Sequence, residues 1–292
     1  MNLPRIVCPN KKSLLQSFTG RTVAVRVNSP DLAEEAVAHV RESGNNLFCV
    51  IIEFNSPLDD IEFRENQKNI PLAIMVPSLG KFRNLVKHLN MLRDFNLRVY
   101  LSCDNHENLV GLRILSSVGI HSCAVFGNGK NDWEALCDLM TYAVLERAPH
   151  ASIEPFTFIA SHYDPFSYLE WSSIHFDDPK HFLHLDAKGR VALSHAELSK
   201  KKFIAQSISE IVVTAEFPAI RRRTQAWKRY FVNNHPCASC RGWKVCLGKF
   251  AVDVPRNNGC SAFFLEMIEV ARQHKAQKAQ KAQAEEGRIW QP

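Results

Sequence analysis

Four cysteines near the end of the chain have the type and spacing of metal ligands. Cys237, Cys240, Cys246 and Cys260 form the pattern C-x2-C-x5-C-x13-C. Four thiolates are the ligand set of one [4Fe-4S] cluster or of one structural zinc ion. Zinc ribbons usually contain two C-x2-C pairs, whereas this segment contains a single such pair. The longer gaps therefore favour the cluster, and zinc is the lesser possibility.

Two glycines lie beside these cysteines. Gly242 is in the loop between the second and third cysteines, and Gly259 precedes the fourth. Because glycine has no side chain, it permits turns and close approach of the backbone to a cluster. The other cysteines do not share this pattern. Four lie singly in apolar segments, where we expect small core residues; they are Cys49, Cys103, Cys123 and Cys137. Cys8 is isolated and receives no role.

The composition narrows the class of protein. The chain has 292 residues, of which 46% are hydrophobic and 23% charged, as in a globular protein with a real core. Its nine cysteines are an odd number, and the first residues lack the apolar core of a secretory signal. We therefore expect a cytoplasmic protein without a membrane partner. A formal charge of +6, spread along the chain, is too weak to predict a nucleic-acid partner.

The first half of the sequence alternates strand-like and helix-like segments. Predicted strands are apolar runs at Thr22–Val27, Leu47–Phe54, Pro71–Val76, Leu97–Ser102, His121–Phe126 and Phe156–Ala160. Predicted helices with apolar residues at helical spacing cover Asp31–Ser43, Phe82–Phe95, His106–Val118 and Asp132–Arg147, the last with a capping pattern at Asn131 and Glu134. This alternation is typical of βαβ units and a parallel sheet. The units are too few for a closed eight-stranded barrel, so an open partial barrel or a doubly wound sheet remains.

The second half has a different pattern. The segments His181–Leu185 and Arg190–Ser194, joined by Asp186–Gly189, predict a β-hairpin. A helical stretch around Ser209–Arg223 precedes the cysteines, and Ser261–Ala271 predicts an amphipathic helix. The remaining tail contains a threefold Lys-Ala-Gln repeat and is polar on all sides, which predicts a solvated extension or a disordered segment.

The cysteine segment resembles the C-terminal cluster region of the SPASM domain, the auxiliary-cluster extension of radical SAM enzymes that modify peptides and proteins. The resemblance lies in the C-x2-C-x5-C pattern, in Gly248 two residues after the third cysteine, and in the later fourth cysteine. It implies that Cys237, Cys240, Cys246 and Cys260 hold the outer auxiliary [4Fe-4S] cluster.

The resemblance is incomplete at the other cluster positions of the family. SPASM domains open with a hairpin whose cysteine serves an inner cluster, and Ser194 stands at that place here. Lys249 and Phe250 occupy the region of a further family cysteine. The radical SAM barrel binds its catalytic cluster through C-x3-C-x2-C after the first strand, but the loop Asn28–Asp31 has no cysteine. The resemblance therefore implies one remaining cluster and no binding of S-adenosylmethionine.

These observations predict an α/β protein, a partial (βα)6 TIM-like barrel followed by a small cysteine-rich α+β SPASM-like domain. The predicted divisions are residues 1–170 for the degenerate radical-SAM-like barrel, 171–272 for the iron–sulfur domain and 273–292 for the polar tail. The resemblance implies an accessory protein that is not itself a radical SAM enzyme. Its expected partners are a radical SAM/SPASM enzyme and a precursor peptide, with roles in substrate binding, scaffolding or electron relay.

Two alternatives remain open. One is a zinc-stabilised binding module without a redox role. The other is an enzyme with its own chemistry at the carboxyl ends of the strands, where polar side chains collect; they are Glu53, Asn55, Asp104, Asn105, His106 and Asn128. Such residues cap helices just as readily. The histidines between Ser161 and His195 have irregular spacing, and we expect them to be scattered surface or linker residues.

Overall fold

The computed structural model describes residues 4–126, 131–169, 174–211, 216–247 and 259–289. By spatial proximity the chain divides into two compact units, each built from two stretches of sequence. Unit 1 comprises Met1–Leu101 and Trp171–Lys228, and unit 2 comprises Ser102–Glu170 and Arg229–Pro292. This division does not test the predicted domain boundaries, which stay predictions. None of the described helices is long and apolar enough to cross a membrane.

The described residues form a mixed α/β fold with one mostly parallel sheet. Its strands are β1 (Arg5–Pro9), β2 (Thr22–Val27), β3 (Asn46–Glu53), β4 (Leu72–Met75), β5 (Leu97–Ser102), β6 (Ser122–Val125), β7 (Ile153–Glu154), β8 (Phe182–Leu185) and β9 (Val191–Ala192). The order across the sheet is β7-β6-β5-β4-β3-β2-β1-β8-β9. The strands up to β7 therefore follow one another in chain order, whereas a doubly wound sheet reverses its order near the middle.

The sheet contains two strands that the sequence did not predict, β1 and the two-residue β7. β1 pairs in parallel with β2 on one side and with β8 on the other. The predicted hairpin is confirmed, because β8 and β9 are antiparallel with His184 opposite Ala192. β8 nevertheless joins the main sheet through β1 and so does not form a sheet of its own. β1 is short, and its run RIVCP contains two residues that interrupt an apolar pattern.

Helices follow most of the strands. They are α1 (Lys12–Leu15), α2 (Ala33–Glu42), α3 (Phe82–Leu85), α4 (Leu89–Asp94), α5 (His106–Ser117), α6 (Trp133–Leu145), α7 (Phe156–His162), α8 (His195–Ser199), α9 (Pro218–Thr224), α10 (Lys228–Val232), α11 (Trp243–Cys246) and α12 (Cys260–Ile289). The predicted helix Phe82–Phe95 is divided by a 3-10 turn at Val86–His88. Part of the predicted helical stretch Ser209–Arg223, at residues 212–215, lies outside the described residues.

Side-chain caps and a glycine fix several helix boundaries. Ser29 Oγ accepts a hydrogen bond from the backbone N–H of Asp31 at 3.4 Å at the turn that leads into α2. Asn105 Oδ1 accepts from the N–H of Asn108 at 2.8 Å at the start of α5. Gly119 follows α5 with φ +86°, a left-handed conformation that suits glycine and ends a helix. These boundaries were readable in the sequence because the caps act over only a few residues.

Two local predictions were wrong. The run Phe156–Ala160 is not a strand but the first part of α7. Its fully buried residues Phe156 and Ile159 are three positions apart, which is the spacing of a helix face. The cap of α6 is Asp132 rather than Asn131, because Asp132 Oδ1 accepts from the N–H of Ala135 at 3.1 Å.

Unit 1 has a core of β-branched side chains on the sheet. The strands β1, β2 and β3 bury Ile6, Val23, Val25, Val50 and Ile52, each with 0% exposure. Such nearly continuous apolar runs are expected where a parallel strand is covered on both faces. Helix α2 packs on β2 and β3 and buries its own small apolar residues. Arg26 is the charged residue that interrupts the apolar run of β2.

Unit 2 has an aromatic core beneath helix α12. This helix packs against α6 and α7. The ring centroids of Trp133 and Phe263 are 5.4 Å apart, and those of Phe263 and Phe264 are 5.0 Å apart. Phe126 and Phe156 contact the same cluster edge to face. The predicted amphipathic helix is therefore confirmed, and it continues as regular helix through the Lys-Ala-Gln repeat to Ile289.

Candidate metal centre

The first two predicted ligands lie on one tight turn of unit 2. A 3-10 helix covers Pro236–Ser239 and contains Cys237, while Cys240 ends it in an extended conformation. His235 caps the turn, because its Nδ1 accepts from the backbone N–H of Cys237 at 3.2 Å. The N–H of Cys240 donates to the carbonyl of Cys237 at 3.3 Å. The C-x2-C spacing therefore folds as a closed turn.

The third predicted ligand lies on the next helix. Cys246 is the last residue of α11 and is buried, with 8% exposure. The turn continues directly into this helix, because the N–H of Trp243 donates to the carbonyl of Cys240 at 3.1 Å. Leu247 ends α11 with φ +51°, a left-handed conformation that is rare for leucine. The helix therefore ends directly after the third cysteine.

Gly242 permits the close packing of this segment. A Cβ atom at this position would lie 2.8 Å from the Cβ of Phe264 and 3.6 Å from the Sγ of Cys240. The first distance is too short for two carbon atoms. The glycine therefore allows the second cysteine to lie beside helix α12.

The fourth predicted ligand begins helix α12. Cys260 is its first residue and is half-buried. The neighbouring Ser261 has its Oγ 3.5 Å from the Sγ of Cys240, which brings the start of α12 to the C-x2-C turn. The segment 248–258, which includes Gly248, Lys249 and Phe250, lies outside the described residues.

The pKa of the Cys237 thiol depends on two neighbouring thiols. Burial raises its pKa above the ordinary value for cysteine, and the neighbouring thiols of Cys240 and Cys260 raise it further. Like charges placed close together disfavour the ionised form of each. The structure thus brings these three cysteines into one electrostatic neighbourhood. Cys246 lies on α11, which contacts both the Pro236–Ser239 turn and α12.

The donor set fits a thiolate-bound metal group in its chemistry. Three thiols that repel one another as thiolates are stabilised in that form by a bound cation. Four such sulfur ligands suit an iron–sulfur cluster or zinc. Within the described ranges, however, no group of three or more His, Cys, Asp or Glu side chains is already arranged to hold a metal ion. The assignment of the four cysteines as ligands therefore stays a prediction.

Three of the other cysteines have the environment of core residues. Cys49, Cys103 and Cys123 are buried, with exposures of 7%, 1% and 0%. Burial raises the pKa of the Cys49 and Cys103 thiols to about 12. Cys8, which had no predicted role, is equally buried on β1. Cys137 is half-buried rather than buried.

Ser194 has a structural function at the place where the family resemblance implies a cysteine. It is the cap of α8, and its Oγ accepts from the backbone N–H of Glu197 at 3.2 Å. A serine is among the best residues for this purpose. Its presence is therefore explained by helix capping.

Most polar residues predicted at the strand ends also serve local structure. Asn105 caps α5, and Asp104 Oδ2 accepts from the hydroxyl of Ser102 at 2.7 Å. His106 is exposed on the first turn of α5, and Asn128 lies outside the described residues. Glu53 is different, because its carboxylate lies within 4 Å of two cationic or ionisable side chains.

Unit 1 contains a polar cluster that the sequence did not predict. The expectation of surface or linker histidines is wrong for His184, which is 3% exposed. Its ring lies parallel to that of His195 with centroids 6.4 Å apart, and Arg26 and Glu53 lie nearby. One signal was available in the sequence: an arginine inside the apolar strand TVAVRV is costly to bury without a purpose.

Comparisons with known proteins do not assign a family. No protein-family model matches the chain, and no curated protein matches it. Among solved structures, the crystal structure of Streptococcus suis SuiB matches with a TM-score of 0.48 and 11% sequence identity. The match covers 85% of this chain and 73% of that chain. A similarity of this size carries no argument about fold or function, so the radical SAM/SPASM resemblance stays a prediction from the sequence.

Proposed function

We propose that this protein binds one [4Fe-4S] cluster through Cys237, Cys240, Cys246 and Cys260 and acts as an accessory protein. The observation that carries the proposal is the proximity of Cys240 and Cys260 to Cys237, whose pKa they raise, together with the contact between Cys240 and the start of α12. Cys246 lies between them in the chain, on a helix that contacts both flanking elements. When bound, such a cluster supplies one-electron transfer or holds a loop-rich region together.

The distribution of cysteines supports an accessory role rather than radical chemistry. The first hundred residues contain no C-x3-C-x2-C motif, because Cys8 and Cys49 are the only cysteines among them. The sheet begins at β1, one strand earlier than expected, but the residues that follow Pro9 also lack cysteine. Neither β1 nor β2 is followed by the three cysteines of that motif, which supports a protein that does not bind S-adenosylmethionine.

The order of the strands supports a partial (βα) barrel as the scaffold of this protein. β1 to β7 lie side by side in chain order, and the pairs with a described register among them are parallel. Sequential parallel strands joined by helices are the arrangement of (βα) barrels. We propose that the chain uses this scaffold to bind a peptide, or an enzyme that modifies peptides.

Metal analysis tests the identity of the bound group. The full chain is reconstituted anaerobically with iron and sulfide, and separately with zinc, and the metal content is measured after desalting. We expect about four iron atoms per chain and broad absorption at about 400 nm. A colourless protein that retains one zinc ion per chain contradicts the cluster and supports the alternative of a zinc-stabilised binding module.

Single substitutions test the ligand assignment. Cys237→Ser, Cys240→Ser, Cys246→Ser and Cys260→Ser are each expected to lower the iron content and the absorption at least severalfold. Cys137→Ser is the matched control, because Cys137 is a half-buried cysteine of the same unit outside the pattern. A loss of iron from the control variant equal to that from the four ligand variants would contradict the assignment.

Capture experiments test the accessory role. The iron-loaded protein and its Cys240→Ser variant are immobilised anaerobically and exposed to extract of the native host. We expect recovery of a radical SAM enzyme or of a short precursor peptide by the loaded protein. Recovery of neither, from a protein with the expected iron content, would disprove the partner proposal while leaving the metal site intact.

A further inference from the structure

Four polar side chains of unit 1 meet at the carboxyl ends of β2, β3 and β8. Arg26 is the next-to-last residue of β2, and Glu53 is the last residue of β3. His184 lies in β8, and His195 is the first residue of α8, which follows β9. Ligand sites in parallel α/β folds commonly lie beyond the carboxyl ends of the strands.

The strand register places the two inner members of this cluster on one face of the sheet. Val7 of β1 pairs with Ala24 of β2 and with His184 of β8. Neighbouring residues in register project to the same face, and side chains two residues apart on a strand do so as well. Arg26 follows Ala24 by two residues, so its side chain shares a face with that of His184.

Arg26 extends across β1 to reach β8. Its Nη2 donates to the backbone carbonyl of Leu185 at 3.2 Å. Its Nη1 is 3.9 Å from Oε1 of Glu53, which is longer than a hydrogen bond. Its Nε is buried and has no hydrogen-bond partner. The guanidinium is therefore anchored at one end and leaves one buried N–H donor unused.

His184 leaves one buried acceptor unused. Its Nε2 lies 2.7 Å from the carbonyl oxygen of Phe176. Because a carbonyl only accepts, Nε2 carries the hydrogen atom. Burial lowers the pKa of the ring to about 4, so the ring is neutral at pH 7. Its Nδ1 is then a bare acceptor, and this buried atom has no hydrogen-bond partner.

The outer members of the cluster open it to solvent. His195 and Glu53 have side-chain exposures of 50% and 33%, against 12% for Arg26. The Nδ1 of His195 lies 3.5 Å from Oε1 of Glu53, a loose contact that holds neither side chain tightly. The cluster thus joins a buried donor and a buried acceptor to two more exposed polar side chains.

We propose that Arg26 Nε and His184 Nδ1 bind the amide group of a ligand, with the carbonyl oxygen on Arg26 and the N–H on His184. A carboxylate offers only acceptors and leaves the His184 Nδ1 unsatisfied. An ammonium group offers only donors and leaves the Arg26 Nε–H unsatisfied. The opposite charges of Arg26 and Glu53 cancel, which suits a neutral ligand. The proposal uses only unit 1 and does not depend on the metal centre.

The test compares four small probes of similar size on the full chain labelled with [15N]histidine. Acetamide, N-methylacetamide, sodium acetate and methylammonium chloride are titrated at constant ionic strength, and the Nδ1 resonance of His184 is followed by NMR. We expect both amides, or acetamide alone, to shift this resonance. Their dissociation constants should be at least about tenfold lower than those of acetate and methylammonium. Binding of both amides identifies a peptide amide as the ligand group, and binding of acetamide alone identifies a primary carboxamide.

Two variants locate the response. Arg26→Lys retains the charge but removes the Nε–H donor, and we expect it to weaken amide binding at least about tenfold. Arg64→Lys is the matched control, because Arg64 makes an exposed ion pair with Asp31 in the same unit. Thermal unfolding of both variants checks that they are folded. If no probe shifts the His184 resonance, the proposal is overturned, and a tightly held water fills the site instead. The proposal is also overturned if the ions bind as well as the amides, or if the control variant loses amide binding as much as Arg26→Lys does.

Discussion

The ring of Trp133 lies against the backbone of Gly259 and leaves no room for a side chain there. A Cβ atom at position 259 would lie 2.8 Å from Cδ1 and 2.9 Å from Cγ of Trp133. The ring is itself held by Phe263, with centroids 5.4 Å apart. Because Gly259 directly precedes Cys260, this contact sets where helix α12 begins and where the fourth cysteine lies.

Gly259→Ala is therefore expected to disturb both stability and metal loading. Forcing a methyl group against a packed ring costs about 1–3 kcal/mol, measured as the change in the free energy of unfolding in urea. We also expect a lower iron content after reconstitution, because the start of α12 must shift. A double-mutant cycle with Trp133→Ala provides the control, since removal of the ring should reduce the cost of the alanine. Strictly additive effects would contradict the proposed contact.

Ser194→Ala tests the capping function of this serine. Loss of the hydrogen bond from the Glu197 N–H to Ser194 Oγ is expected to lower the free energy of unfolding by about 0.5–2 kcal/mol. The iron content should remain at the wild-type value, because Ser194 is not among the predicted ligands. Ser199→Ala, at an exposed serine near the end of the same helix, is the control. A drop in iron content with Ser194→Ala would show that this residue supports the metal site.

The buried imidazole of His184 makes stability depend on pH. Burial, the largest cause, and the nearby Arg26 and His195 lower its pKa from 6.5 to about 4, while Asp177 and the Phe176 carbonyl oppose this shift. Between these two pKa values the unfolded chain binds a proton that the folded chain does not. The free energy of unfolding therefore decreases as the pH falls from about 6.5 to about 4, by up to about 3 kcal/mol.

His184→Gln is expected to remove this part of the pH dependence, because glutamine does not titrate and its amide can still donate to Phe176. The measurement is urea unfolding of the wild type and the variant at pH 7 and pH 4.5. Other groups titrate in both proteins, so only the difference between them reports on His184. An equal loss of stability in the two proteins on acidification would contradict the assignment.

The metal-free protein should show two classes of cysteine reactivity. Burial raises the pKa of Cys8, Cys49 and Cys103 to about 12, so about one thiol in 10⁴ of each is ionised at pH 8. We expect iodoacetamide to modify the half-buried Cys240 and Cys260 first, as measured by peptide mass mapping at short times. Labelling in denaturant, where all thiols should react alike, is the control. Early modification of Cys8 or Cys49 in the native protein would show that β1 and β3 open readily.

Much of the secondary structure follows from the sequence because it depends on neighbours only a few residues apart. The predicted strand Leu97–Ser102 is β5 without change, and Ser29 and Asn105 cap helices through contacts two and three residues along the chain. The run Phe156–Ala160 was misread because a short apolar segment fits a strand or a helix equally well. Its spacing became meaningful only when its buried face was known.

One candidate site was predicted from the sequence, and the other was found only in the tertiary structure. Spacing alone predicted Cys237, Cys240, Cys246 and Cys260 as ligands, because C-x2-C is a local pattern. The structure added the close contact between Trp133 and Gly259, the residue before the fourth cysteine. The cluster around Arg26 and His184 had no comparable pattern. Its members come from distant parts of the chain and meet only because β1 pairs with both β2 and β8. Local composition thus determined most of the elements and predicted the thiol ligand set, whereas strand pairing between distant segments decided which polar side chains share a site.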